Sequence, residues 1–441
     1  MMRRFLLPRR LTPLTFVFVV SFLASDARFS NDARAENWPQ WRGPQNNGVS
    51  GETASLPATF SKTENVVWRT PLPGPAGATP VIWGDHIFLT AVEGDDLLLL
   101  CYTTQGKELW RRSMGQGNKV VRRGEGNSAS PSPSTDGKHV WAMMTSGDVA
   151  CFDFQGKKAW SINLQERYGR FKIAFGMTAT PVLDGDRLYI QLIHGEGDPK
   201  TREAIVVALD KSTGKEVWKH SRASDAIKEC EHSYASPILY RDSQREFLLT
   251  HGADYVIAHS LKDGSEIWRC GNLNVRSRYN PTLRFVASPA AAPGLIVVPS
   301  AKNGPVVGLS PDGKGDITNS ESHTIWRRED NTPDVPSPLI IDGLVYLCRE
   351  NGNLICMDAK SGEEFYNERT HRQRHRASPV YADGKIYLCA RDGVVSVVKA
   401  GRKFELLAQN EMGESLAASP VISGGRIYLR TFDALYAIEK K

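Results

Sequence analysis

Ser337-Pro338-Leu339-Ile340-Ile341-Asp342-Gly343-Leu344-Val345-Tyr346-Leu347-Cys348-Arg349-Glu350-Asn351-Gly352-Asn353-Leu354-Ile355-Cys356-Met357-Asp358-Ala359-Lys360-Ser361-Gly362-Glu363-Glu364-Phe365-Tyr366 contains four strands and the turns between them. Leu339-Ile340-Ile341 is a short apolar run, and Asp342-Gly343 is a hairpin turn. Residues 344–348 form a second run, Asn351-Gly352 a second hairpin, and Leu354-Ile355-Cys356-Met357 a third strand. Asp358 and Gly362 turn the chain once more into Phe365-Tyr366, with the aspartate bonding turn amides and the glycine free to take positive φ. Strands this apolar are buried on both faces.

The same phrase recurs. Its Ser/Thr-Pro marks stand at Thr79, Ser130, Thr180, Ser236, Ser288, Ser337, Ser378 and Ser419, spaced 41 to 56 residues apart. Four short strands at that period form one propeller blade. The expectation is an all-β, eight-bladed β-propeller of four-stranded blades. Most repeats end in a tryptophan large enough to fill the wedge between blades: Trp110, Trp160, Trp218, Trp268 and Trp326, with Phe365 in that place in repeat six. Repeat eight supplies three strands and stops at Lys441, whereas Val66-Val67-Trp68-Arg69 is a fourth-strand phrase with no strands before it. The N-terminal strand is therefore expected to complete the last blade through Trp68, which hides the sheet edges.

Residues 1–35 read as a signal peptide. Arg3, Arg4, Arg9 and Arg10 precede the apolar residues 14–24 (LTFVFVVSFLA), and Ala33-Arg34-Ala35 is a small-x-small cleavage site. The apolar stretch is short for a membrane span. Residues 36–65 form a strap before the propeller at 66–441. Its Trp38 and Trp41 are expected to pack across one propeller face. The earliest cysteine is Cys101, away from any lipoprotein signal. A periplasmic or secreted monomer follows, without a transmembrane anchor after cleavage and with Sec or Tat export left open. Of the net charge of +6, the leader carries +4, and the remaining 406 residues carry about +2. No basic tract steers nucleic acid. The seven cysteines read as small buried hydrophobes, with a Cys230–Cys270 bridge as the alternative.

The Ala208-Leu209-Asp210-Lys211-Ser212-Thr213-Gly214-Lys215-Glu216-Val217-Trp218 segment resembles the tryptophan-docking repeat of pyrroloquinoline quinone (PQQ) propellers. That class includes quinoprotein alcohol and glucose dehydrogenases. It also includes the propeller lipoprotein of the outer-membrane β-barrel assembly machinery, which binds no quinone. The likeness covers residues 66–438. Two further phrases resemble a bacterial group of exported PQQ-like repeat proteins: residues 38–44 (WPQWRGP), and Gly315-Asp316-Ile317-Thr318 with His323 and Trp326-Arg327 beyond. The resemblance implies either a non-catalytic binding propeller or a dehydrogenase that holds PQQ with Ca²⁺. The sequence lacks the adjacent cysteine pair of many quinone dehydrogenases. No catalytic residue, no metal ligand and no cofactor are therefore expected, with PQQ and Ca²⁺ as the alternative. The glycine-rich acidic loops at residues 194–198 and 312–316 read as solvated turns before calcium sites.

Loops that lead into the first strands share one propeller face, so their polar residues can converge on the axis. Arg122, Arg123, Glu125 and Asn127 precede repeat two, His232 and Tyr234 repeat four, Arg284 repeat five, and His375 and Arg376 repeat seven. Glu414 precedes repeat eight. Together they suit a protein partner or a small anionic ligand. The functions carried forward are an exported binding or scaffold module of the cell envelope, a quinone-dependent oxidoreductase, and a glycan-binding propeller.

Overall fold

Apolar strands separated by Asp-Gly and Asn-Gly turns build eight sheets, antiparallel but for one short parallel pair, in the computed structural model, which describes residues 1–2, 36–120, 126–195 and 203–441. The segment read as a signal peptide, residues 1–35, therefore lies almost wholly outside the described residues. The ring belongs to the unit Ala35–Lys441. Repeat six folds as read, with strands Leu339–Ile341, Leu344–Cys348, Asn353–Asp358 and Glu364–Arg369 in sequential order. Cys348 faces Leu354 across the hairpin, and Tyr346 faces Cys356.

Closure runs through the N-terminal strand Val66–Pro71, which pairs antiparallel with the last strand, Ala434–Glu439. Glu414 locks this joint: it accepts hydrogen bonds from Arg69 at 2.9 Å and from the Tyr436 hydroxyl at 2.6 Å. Its carboxylate thus belongs to the seam and not to an open ligand surface.

The tryptophans join each blade to the next. Trp68, Trp110, Trp160, Trp218 and Trp326 donate their indole N–H to Thr104, Phe154, Lys211, Leu261 and Ala359 carbonyls in the following blade, at 2.8–3.1 Å. The glycine of that next repeat lies flat on the ring. A Cβ on Gly264 would stand 2.5 Å from Trp218, and one on Gly214 2.6 Å from Trp160. One Gly-to-Trp phrase thus receives a ring at its glycine and delivers one at its tryptophan. Trp268 is also fully buried, but a short extra strand, Gly315–Asp316, pairs beside it and gives blade four five strands. In blade six the equivalent residue is Tyr366, not Phe365: Tyr366 faces Cys356 as Trp218 faces Ala208. Side chains alternate across a strand, so one residue of offset sends Phe365 to the other face.

All seven cysteines are buried and free, so Cys230 and Cys270 form no bridge.

Residues 36–65 cross the ring on the face of the turns between first and second strands. Trp38 exchanges backbone hydrogen bonds with Ile82 of blade one, and the Pro39 carbonyl accepts from Thr135 of blade two. Gln40 accepts from Leu183 of blade three, and Val49 pairs with Tyr381 of blade seven. Arg42 is fully buried and donates to the Pro338 and Asn47 carbonyls at 2.7 and 2.9 Å. Burial without a carboxylate lowers its pKa to about 9.

Candidate functional site: the axial mouth

The Ser/Thr-Pro marks meet at the axis. There each innermost strand starts at a sheet edge, where a backbone N–H has no ladder partner. Proline removes one such donor. The Ser or Thr N–H donates to the hydroxyl of the next blade, in the order Thr79, Ser132, Thr180, Ser236, Ser288, Ser337, Ser378, Ser419 and back to Thr79, at 2.8–3.2 Å. The eight bonds form a closed circle. Blade two enters it through Ser132, not Ser130: Pro131 is followed by a second Ser-Pro, and Ser132-Pro133 directly precedes the first strand Ser134–Thr135.

A narrow axial cavity of about 130 Å³ runs through this circle and ends on Trp41 of the strap. On the opposite face it opens into a mouth of about 220 Å³. The mouth takes one residue from every blade, the second before each mark: Gly77, Ser130, Thr178, Tyr234, Val286, Val335, Arg376 and Ala417. Gly126, Phe175, Arg284 and Asp334 complete its wall.

The mouth therefore gathers Tyr234, Arg284 and Arg376 from the residues picked out in the sequence. The Arg284 guanidinium lies 4.8 Å from the Phe175 ring centre and pairs with Glu229 at 2.9 Å. The Phe175 and Tyr234 rings are 5.9 Å apart. Burial pushes the Tyr234 hydroxyl well above its ordinary pKa, so it is a neutral donor at physiological pH. Arg376 pairs with Glu350 at 3.2 Å, and its side chain is only 9% exposed. Burial raises the Glu350 pKa, with the neighbouring Asp334 carboxylate adding to the effect against Arg376.

The other candidates stand behind the wall. Asn127 donates to the Pro75 carbonyl and accepts from the Ala129 N–H, which shapes the turn before blade two. His232 contacts the Gly195 carbonyl through Nε2 at 2.9 Å. His375 is fully buried against the Gln373 carbonyl. Arg122, Arg123 and Glu125 lie outside the described residues. Sequence reasoning missed Phe175, Asp334 and the meaning of the second position before the mark, although counting back from each Ser/Thr-Pro would have found that position.

The mouth's donor set does not fit a calcium-bound quinone. Asp334 is its one carboxylate among the described lining residues, and that side chain accepts from the Lys302 N–H at 3.1 Å. Among the described residues, no three His, Cys, Asp or Glu side chains converge to hold a metal ion. The loop at 312–316 supplies the extra strand of blade four, and the loop at 194–198 lies partly outside the described residues.

A family described as outer membrane protein assembly factor BamB matches residues 49–198 and 145–403. The chain belongs to this family of PQQ-like repeat propellers. It is 24% identical over 249 residues to the outer membrane protein assembly factor BamB of Yersinia pestis, which covers 52% of this chain and 54% of that protein. The chain thus spans about half the length of that curated relative. Among solved structures, BamB from Moraxella catarrhalis has a TM-score of 0.62 at 14% identity, covering 85% of this chain and 97% of that one. A quinohemoprotein alcohol dehydrogenase from Comamonas testosteroni has a TM-score of 0.67 at 12% identity, covering 92% and 81%. At these identities the structural likeness is one of fold alone. Among the described residues, no helix is long and apolar enough to cross a membrane.

Proposed function

We propose that this chain is a non-catalytic scaffold of the cell envelope that binds a protein partner through its axial mouth. The observation that carries the reading is the mouth itself: Phe175, Tyr234, Arg284 and Arg376 surround a small, largely apolar recess. Aromatic and guanidinium groups around a partly desolvated centre are the usual anchors of protein recognition. Membership in the BamB-described family supports an envelope role, and the leader at residues 1–35 supports export.

A quinone-dependent oxidoreductase is the second reading, favoured by the fold shared with the alcohol dehydrogenase. Purified protein incubated with PQQ and Ca²⁺, then assayed for dye reduction with alcohols and sugars, separates the two. The scaffold reading expects no turnover, and sustained PQQ-dependent dye reduction would overturn it. Glycan binding is the third reading, and a glycan array tests it.

A further inference from the structure

Beside the mouth, between blades five, six and seven, lies a recess of about 640 Å³. Asp334 lines both cavities, and Arg376 of the mouth pairs with Glu350 of the recess. Lys302, Arg349, Arg369 and Arg372 line this recess without a carboxylate partner among the described residues. Arg349 and Arg369 donate to the Asn303 and Asn353 side chains, and Lys302 to Thr282. Only Arg374, 3.5 Å from Glu350, adds a fifth cation with an acid at hand. By contrast, Arg111, Arg241, Arg269 and Arg328 hold carboxylates at 2.5–2.8 Å. Burial lowers the Arg349 pKa, the Asp330 carboxylate opposes this, and Arg328 adds to it.

Uncompensated cations in a recess raise the local concentration of anions. Guanidinium groups bind carboxylates and phosphates through paired N–H donors. Two features favour a peptide over a phosphate-rich ligand. Glu350 and Asp334 in the recess repel dense, doubly charged groups. Asn303, Asn351 and Gln373 offer amides that both donate and accept, as peptide backbone requires. The apolar mouth next door suits a side chain from the same segment.

We propose that this recess binds an acidic peptide segment of the protein partner, with Lys302, Arg349, Arg369 and Arg372 receiving its carboxylates. The inference deepens the scaffold reading by naming the partner's chemistry.

The test is fluorescence anisotropy of the mature protein with labelled hexaglutamate. Hexalysine, pyrophosphate and vesicles with one third anionic lipid are the comparison probes. We expect saturable hexaglutamate binding at low salt, none with hexalysine, and at least about tenfold weakening by 0.5 M NaCl as screening sets in. Arg349→Glu with Arg372→Glu is expected to weaken hexaglutamate at least tenfold. The milder Arg369→Ala, on an exposed side chain, is expected to weaken it measurably with an unchanged melt. Absence of hexaglutamate binding by the folded wild type, or equal binding by both variants, overturns the proposal. Tighter binding of pyrophosphate or vesicles than of hexaglutamate also overturns it, in favour of a phosphate ligand. Absence of hexaglutamate binding by the wild type with partner crosslinking at the mouth intact removes this inference alone, whereas hexaglutamate binding without that crosslink removes the mouth reading.

Discussion

Trp218 and Gly264 form one contact seen from two repeats. The indole is buried, bonded to Leu261 and covered by a glycine at φ +75° with no room for a Cβ. Trp218→Ala leaves a large cavity and is expected to cost about 3–5 kcal/mol in urea unfolding, and a loss below about 1 kcal/mol contradicts docking. Gly264→Ala pushes a methyl into the same ring in a conformation that L-residues avoid, so it too is expected to lower the unfolding midpoint. Ser236→Ala leaves the buried Thr180 N–H unpaired and opens the axial circle. The expected cost is about 1–3 kcal/mol, measured the same way. The tryptophans were legible because their size and spacing leave them one place to go. The hydroxyl circle was not, since Ser/Thr-Pro reads locally as a turn mark and its hydrogen-bond partner stands 41 to 56 residues away, or 340 at the closing bond. Arg376 shows another limit. Its sequence suggests an open cation, yet the side chain is nearly buried beside Glu350 and Asp334, so charge reversal there would also unsettle the fold. Arg284→Gln is the cleaner probe of the mouth.

At the level of strands and loops, the split last blade is the main device. The N-terminal strand pairs with Ala434–Glu439 and is held by Arg69, Glu414 and Tyr436. Deleting residues 36–70 removes this strand and the strap together. The expected result is a melting temperature lower by roughly 10 °C or more and a broadened transition. An unchanged melt contradicts closure. The strand content was readable because Asp-Gly and Asn-Gly turns flank apolar runs. The fifth strand of blade four was not, since two residues, Gly315 and Asp316, carry no periodicity. Loop residues chosen for charge gave a mixed harvest for a physical reason. Among the described residues the second position before each mark, joined by Gly126, Phe175, Arg284 and Asp334, reaches the mouth, whereas Asn127, His232 and His375 turn back to satisfy loop carbonyls.

Across the whole molecule, buried histidines set a pH dependence. Desolvation lowers the pKa of His194 and His375 to about 4 and of His251 and His259 to about 3. Arg222 adds repulsion at His251 and His259, and Asp392 opposes the shift at His375. An unfolded histidine titrates near pH 6.5, so between about pH 6.5 and 4 the unfolded chain binds more protons. Stability from these groups is complete above pH 7 and falls on acidification, by up to about 1.4 kcal/mol per pH unit for each histidine. Glu350 and Asp254, whose pKa values burial raises, act in the opposite direction. Urea midpoints at pH 8, 7, 6 and 5 are expected to be level at first and then to decline, and a flat series contradicts the buried neutral state.

The central claim is that the mouth is where a protein partner docks. Photocrosslinking in the native envelope tests it most directly. p-Benzoylphenylalanine is placed at position 175 in the mouth or, as control, at position 109, where Leu109 lies exposed on the outer rim. The prediction is an adduct from position 175 that contains an outer-membrane protein assembly component and that Arg284→Gln weakens. No adduct from position 175, or the same adduct from position 109 alone, would contradict the account.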